Sequence, residues 1–276
     1  MKVSGDDAES RKAAIAGVFD RGAAEYDRIG DFFTPVGRDL VSAAGVRAGE
    51  WVLDVGCGRG AALFAAADAV GPSGRVIGID LAEQMVALTA AEAAALEQVS
   101  VLVGDAERPD FPDGRFDVIL AALVLFLLPD PAAALRRYAA LLAPGGRLGF
   151  STFGRPDEKF EAAMRVLGSF VPGGLPPRPE RQGPFGSPTT ITALLADHGF
   201  AAPDITERSY VTRFRDTDEW LSWVWSHGGR ATLERVPPAR LDEATSAARV
   251  AFEPAQTDAG DYAMRTEVRF TVARPS

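Results

Sequence analysis

Ten residues constrain this chain more than any others: Val52-Leu53-Asp54-Val55-Gly56-Cys57-Gly58-Arg59-Gly60-Ala61. An apolar run ends, glycines follow at alternate positions, and an alanine-rich stretch begins. A strand that passes through such a loop straight into a helix turns backbone N–H groups toward a ligand across the strand end, with no side chain to obstruct the approach. The element needs a parallel sheet to hold it, and the flanking pattern predicts one. Strand-like runs at Trp51–Val55, Arg75–Ile79, Val99–Val103, Phe116–Leu120 and Arg147–Thr152 alternate with helical spacing over Ala61–Val70, Ala82–Glu97 and Pro131–Leu142. Right-handed crossovers place helices on both faces of such a sheet, so its strands are expected to be almost wholly apolar.

The rest of the chain divides around that core. Arg11–Phe19 and Val36–Ala44, stopped by Gly45, predict a helical N-terminal cap over 1–48, before a cofactor-binding core at 49–153. From Gly154 the texture turns Pro/Gly-rich, with one predicted helix at Glu158–Phe170, so 154–188 reads as an insertion after strand five, over one end of the sheet. The pattern recovers over 189–276 as a helix at Thr189–His198, strands near Ser209–Phe214 and Glu267–Ala273, and helices Thr217–Ser226 and Ala239–Phe252 between those strands. The expectation is one α/β domain with a Rossmann-like, seven-stranded, mostly parallel sheet and helices on both faces.

Composition narrows the partners. With 276 residues, 47% of them hydrophobic, the chain can bury one sizeable core. A net charge of -9 and a pI near 4.9 argue against nucleic acid and slightly favour cationic ligands. The single cysteine, Cys57, excludes an intramolecular disulfide and a Cys-rich zinc site, and two isolated histidines lack metal-ligand spacing. Met1 to Ser10 has no apolar signal-like core, and the longest apolar run, Val118–Leu128, is about half of the ~20 residues a spanning helix needs. A cytoplasmic protein without stable membrane association is therefore expected, and the Val118–Leu128 run reads as a buried strand with a hydrophobic turn.

The glycine loop alone is ambiguous, because Gly56, Gly58 and Ala61 also satisfy the dinucleotide G-x-G-x-x-G/A pattern. Asp54 tips the balance. A carboxylate there would repel the pyrophosphate of NAD or FAD, whereas S-adenosylmethionine has no phosphate and carries a sulfonium and an α-ammonium group. Asp80 ends the second strand, where a carboxylate can accept hydrogen bonds from ribose hydroxyls. Asp105 ends the third and is placed to accept one from the exocyclic amine of adenine. Each aspartate alone could be a helix cap or turn residue; three at consecutive strand ends beside the loop make that reading hard to sustain.

The stretches VLDVGCGRG, VIGIDLAEQM, VGDAERPDFPDGRFDVIL and LLAPGGRLGFS, in this order across residues 50–153, resemble class I S-adenosylmethionine-dependent methyltransferases. The resemblance is closest to the subgroup of ubiquinone, menaquinone and small-molecule natural-product methyltransferases. It implies that Asp54, Gly56 and Gly58 line the methionine end of the cofactor and that Asp80 holds its ribose. Leu81 and Met85 would flank the adenine, Asp105 and the backbone at Ala106 read its edge, and Ala122 and Leu123 lie beside the sulfonium. Tyr26 resembles the subgroup's N-terminal lid tyrosine. Where the subgroup often has a polar residue or histidine after strand four, this chain reads Leu123-Val124-Leu125-Phe126-Leu127-Leu128. Those residues, Phe126 among them, either line an apolar acceptor pocket or pack the sheet edge.

The remaining candidates are few. Cys57 reads as a small loop residue, not a nucleophile, and His198 as a cation at a helix C-terminus. His227 follows Trp220, Trp223 and Trp225; helical spacing puts Trp220 and Trp223 on one face and Trp225 away from it, so Trp220 and Trp223 either pack a core or join His227 in the acceptor site. The Pro/Gly-rich segment 171–186 reads as either an acceptor lid or an inert surface loop, and the lid is the preferred reading because long loops in compact domains are usually functional. If a general base is needed, His227 is the first choice and a carboxylate of the insertion the second. The expected activity is methyl transfer from S-adenosylmethionine to a small molecule, with S-adenosylhomocysteine as product and an oxygen of a polyketide-like secondary metabolite as the preferred acceptor. The alternatives are C-methylation of a quinone-type lipid, an NAD-dependent oxidoreductase, or a methyltransferase-like protein that does not methylate.

Overall fold

A computed structural model describes residues 5–175 and 183–276 of the chain. Five parallel strands, β1 (Trp51–Val55), β2 (Arg75–Asp80), β3 (Val99–Val103), β4 (Phe116–Ala122) and β5 (Leu142–Phe153), form one sheet. Two antiparallel strands, β6 (Asp204–Phe214) and β7 (Tyr262–Ala273), complete it in the order β3-β2-β1-β4-β5-β7-β6. β7 thus slots between β5 and β6, unlike the dinucleotide fold, whose sixth strand continues outward from the fifth. The seven-stranded, mostly parallel sheet matches the expectation from sequence. In one respect the expectation fails. β3 is an edge strand with a neighbour on one side only, and its Leu102 and Val103 are 47% and 56% exposed despite their apolar character.

Connections follow local rules. α3 (Ala61–Val70) runs directly out of the glycine loop, α4 (Glu83–Glu92) follows β2, and α5 (Pro131–Leu141) joins β4 to β5. Asp130 caps α5 by accepting the Ala133 amide at 2.9 Å, with Pro131 in the first turn. α4 stops at Glu92, short of the predicted Glu97. The alanine-rich stretch has the propensity to continue, but the chain turns there, Leu96 N–H donating to the Ala93 carbonyl, to enter β3. The apolar run after β4 makes a tight 3-10 turn at Leu125–Leu127, with Leu125 and Phe126 buried.

The N-terminal cap consists of α1 (Gly5–Gly22) and α2 (Phe33–Ala44), which ends at left-handed Gly45 as predicted. α2 lies so close to α3 that a Cβ at Gly37 would sit 2.2 Å from the Ala61 carbonyl oxygen, an approach only glycine allows. Buried Arg147 of β5 fastens the end of α2. Its guanidinium donates to the Ala44 and Gly45 carbonyls and to Glu50, whose carboxyl is thereby held below its ordinary pKa against the opposing effect of burial.

A second core lies apart from the sheet's own. α6 (Glu158–Ser169), α8 (Thr217–Ser226), α9 (Arg230–Leu233) and α10 (Leu241–Phe252) bury Ala163, Leu167, Val224, Leu233 and Ala248 together, with Trp220 stacked on Phe252 at 4.4 Å between ring centroids. The helix of the predicted insertion therefore does more than cover the sheet; it joins the helices of 217–252. α7 (Pro188–Asp197) starts on a Ser187–Thr190 capping box. Of the predicted lid, 176–182 lies outside the described residues.

Candidate active site

The sheet order reverses between β1 and β4, and a crevice opens at the carboxyl ends of such strands. The glycine loop lies there. Gly56 adopts φ +65°, and a Cβ on it would meet Val124 Cγ2 at 2.5 Å, so both backbone conformation and packing demand glycine. The loop is held from two sides: Gly58 N–H donates to Asp80 Oδ2 at 2.8 Å, and the Thr89 hydroxyl donates to the Gly58 carbonyl at 2.8 Å. Leu123, directly after β4, has φ +56°, strained for a residue with a side chain, and its amide donates to Ser151 Oγ at 3.1 Å. Strain of this kind gathers at ligand sites.

A cavity of about 440 Å³ opens from this point. One end is lined by Gly56, Gly58, Asp80, Leu81, Met85 and Ala106, with Ala122 and Leu123 beside them. The other is walled by Phe126, Phe153, Phe160, Met164 and Trp223, with His227 between the two. Tyr26 also lines it, its ring 4.8 Å from Phe33 and 4.9 Å from His227 between centroids. Phe126 faces this space, so the apolar run after β4 serves both as core and as wall. α1 covers the first end through Lys12, Ile15, Ala16 and Phe19.

Three predicted residues stand elsewhere than expected. Trp220 is fully buried in the second core against Phe252 and does not line the cavity; Trp223, on the same helix face, belongs to that core too but lies at its border, where it also lines the cavity. Trp225 does not line the cavity; it lies under the Arg230 guanidinium and packs at the edge of the second core. Asp105 is not a lining residue. Its Oδ2 accepts Lys12 Nζ at 2.7 Å and its Oδ1 accepts the Glu107 amide at 2.8 Å. Asp54 lies behind the loop, 1% exposed, with neither carboxylate oxygen hydrogen-bonded. Burial, reinforced by the charge of Asp80, pushes its pKa up to about 8, with the Leu63 amide offsetting part of the shift. With its pKa so raised, Asp54 does not present the fixed negative charge that would repel a pyrophosphate.

That orphaned carboxyl is also the test of the cofactor. A buried acid with no close hydrogen bond and only the Leu63 amide near it fits a ligand that brings an ammonium group, and Asp80, whose two oxygens accept the Gly58 and Ala82 amides at 2.8 and 2.9 Å, keeps further lone pairs for hydroxyls. The residues present suit S-adenosylmethionine. Cys57 is buried against Gly78, burial pushes its thiol pKa up, and no nucleophilic role fits.

His227 caps α8. Its Nδ1 lies 2.5 Å from the Trp223 carbonyl, which requires the proton on Nδ1, and its Nε2 is buried with no hydrogen-bond partner. Burial lowers its pKa to about 4 despite that bond, so the ring is neutral at physiological pH. The rings of Tyr26, Phe33 and Trp223 surround it at 4.5–4.9 Å. Asp157, the cavity-lining carboxylate of the insertion, is spent on structure: Oδ1 caps α6 through the Lys159 and Phe160 amides, and Oδ2 accepts the Arg265 amide. His198 stays at the end of α7, away from the cavity, its Nδ1 3.5 Å from Arg136. Lys12, Phe33, Phe153, Phe160 and Met164 were not evident from the sequence, where each reads as an ordinary helix or strand residue. Among the described residues no cluster of potential metal ligands occurs, and no helix is long and apolar enough to cross a membrane.

Comparison with known proteins agrees with this geometry. Residues 52–146 match the family of methyltransferase domains. The chain is 41% identical over 238 residues to nocamycin O-methyltransferase of Saccharothrix syringae, spanning 81% of this chain and 85% of that relative. It is 45% identical over 146 residues to aklanonic acid methyltransferase DauC of Streptomyces sp. (strain C5), covering 52% and 66%. Among solved structures, the YcgJ protein from Bacillus subtilis superposes with a TM-score of 0.57 at 19% identity, over 88% of this chain and 99% of that one, a likeness of fold.

Proposed function

Because this chain belongs to the class I S-adenosylmethionine-dependent methyltransferases, we propose that it methylates an oxygen of a small, largely apolar natural-product molecule and releases S-adenosylhomocysteine. One observation carries the reading: a single cavity runs from the cofactor-facing residues Gly56, Asp80 and Ala122 to an aromatic chamber formed by Phe126, Phe153, Phe160 and Trp223. Apolar lining with few polar groups is the usual make-up of a small-molecule site. The relatives named for nocamycin and aklanonic acid support an acceptor of natural-product type.

The cofactor, when bound, supplies a methyl group on a positively charged sulfur. The protein's own part is alignment and exclusion of water. The glycine loop would hold the amino-acid end, with Asp54 behind it to meet the ligand's ammonium group, Asp80 the ribose, and Leu81, Met85 and Ala106 the base. Strained Leu123 and its neighbour Ala122 shape the wall beside the reacting centre. The acceptor oxygen sits in the aromatic chamber. His227, neutral and with an unpartnered Nε2, is suited to accept a hydrogen bond from the acceptor hydroxyl and draw on its proton there, though burial that lowers its pKa to about 4 makes it a weak base; a buried acceptor without a partner is costly unless a ligand supplies the donor.

Incubation with isotopically labelled cofactor and a metabolite extract of the source, followed by mass spectrometry, tests the reading; the label is expected on oxygen. A product carrying the new methyl on carbon would replace it with the quinone-type alternative. On the identified acceptor, His227→Ala is expected to lower turnover by about 10²–10⁴-fold. Unchanged turnover means that the oxygen arrives already ionised and that His227 only shapes the wall.

A further inference from the structure

α1 presents an unusual inventory. Along its described side chains the one that is buried is a lysine: Lys12 is 5% exposed, while Ile15, Ala16 and Phe19 are only partly covered and face the cavity. The Lys12 ammonium reaches across 93 positions of sequence to Asp105 Oδ2 at 2.7 Å, and also meets Glu107 Oε1 at 3.0 Å and Glu9 Oε1 at 3.3 Å. Glu107, 1% exposed, accepts the Asp130 amide at 2.8 Å through its other oxygen, and the largely exposed Arg108 approaches it only to 3.8 Å. Asp105 and Glu107 flank Ala106, which lines the cofactor end of the cavity and whose carbonyl accepts the buried Tyr138 hydroxyl at 2.5 Å.

Two further ties of α1 are polar, and one is apolar, Phe19 packing in a small cluster with Met85 and Leu88 of α4. Asp20 accepts the Gln84 amide at the start of α4, and Arg21 pairs with Glu234. α1 therefore adds little to either large core. It is fastened mainly by ion pairs and hydrogen bonds, with only the small Phe19 cluster as apolar anchorage and its remaining apolar side turned to the ligand space. A buried ion pair fixes orientation more than it adds stability, and breaking it leaves an uncompensated charge. A helix attached in this way opens locally at low cost unless a ligand adds contacts on its inner side.

We propose that Lys12 is a positioning residue of the cofactor site: by pairing with Asp105 and Glu107 it latches α1 over the Asp80, Leu81, Met85 and Ala106 side of the cavity, so that cofactor exchange requires this latch to open. The latch couples two things. It holds the strand-end loop that carries Ala106, and it places Ile15 and Phe19 against the bound cofactor. The inference rests on the cofactor assignment above and is independent of the acceptor.

The test uses S-adenosylhomocysteine as probe, the full chain, and no acceptor. Binding is read by calorimetry, dissociation by stopped-flow tryptophan fluorescence, and α1 by amide hydrogen exchange. Lys12→Met is expected to raise Kd and the dissociation rate at least about tenfold, the loss of a factor worth about 1.4 kcal/mol, and to speed exchange across α1. Lys12→Arg, which restores the charge, is expected to recover most of the affinity. In the wild-type chain, S-adenosylhomocysteine is expected to slow exchange in α1 more than in α2. A Lys12→Met protein with unaltered Kd and dissociation rate overturns the proposal. So does a wild-type α1 whose exchange the ligand leaves unchanged, a measurement that needs no variant to fold. Should these hold while no acceptor is ever methylated, the functional reading fails and the latch stands.

Discussion

At the scale of single residues, Asp54 and His227 illustrate how burial decides chemistry. Both were legible as candidates, but their protonation was not, because it depends on what surrounds them in three dimensions. Asp54 keeps its proton to about pH 8, whereas the unfolded chain gives it up near 3.8. The folded state thus binds the extra proton between those values, and this site's contribution to stability falls as pH rises through that window. A ligand ammonium beside the carboxyl favours the charged form and drives the proton off. Calorimetry of S-adenosylhomocysteine binding at pH 7 in phosphate and in Tris should therefore report release of close to about one proton, decreasing to none well above pH 8. Asp54→Asn should abolish the buffer dependence and weaken binding. Identical heats in the two buffers for the wild-type chain would show that Asp54 meets no cation. Lys12 is the opposite case: nothing near it in sequence marks it, since the carboxylates that give it a role lie beyond three strands.

Among the elements, those written in local chemistry were recovered and those that depend on packing were not. α2 with its left-handed Gly45 stop, α3 leaving the glycine loop, and α8 at Thr217–Ser226 follow from spacing and caps. The end of α4 and the exposure of β3 do not, because a turn toward the next strand and a place at the sheet edge are properties of the assembled sheet. Arg147 is the clearest such link. It joins β5 to the last carbonyls of α2, and α2 in turn carries Phe33 into the cavity wall. Arg147→Met should cost about 3 kcal/mol in urea unfolding, the scale of a broken buried ion pair, by leaving Glu50 and two helix-end carbonyls without their donor. Arg147→Lys should recover only part of this, since an ammonium cannot reproduce the planar fork. Equal stability of Arg147→Met and wild type would mean that the end of α2 is solvated instead.

Across the whole molecule, the two cores divide the labour. The sheet and its helices carry the glycine-loop end of the cavity, and α6, α8 and α9 of the second core build much of its aromatic wall. Trp220→Ala, which opens a hole in the second core, should destabilise the chain by about 3–5 kcal/mol. Its affinity for S-adenosylhomocysteine should stay within about threefold, because the two regions share few contacts, while acceptor turnover falls sharply. Equal losses of cofactor affinity and turnover would instead make the chain one cooperative site. By itself the sequence determined the cofactor and the scaffold that carries its site: strand, glycine loop and helix are local signals, and their order dictates a parallel sheet with its crevice at Gly56. Only the tertiary structure decided that Trp223 and not Trp220 lines the cavity, that burial pushes up the pKa of Asp54, and that Lys12 of α1 reaches Asp105. Each of these turns on which surfaces meet across long stretches of chain, a matter settled by packing and desolvation and not by any neighbour in sequence.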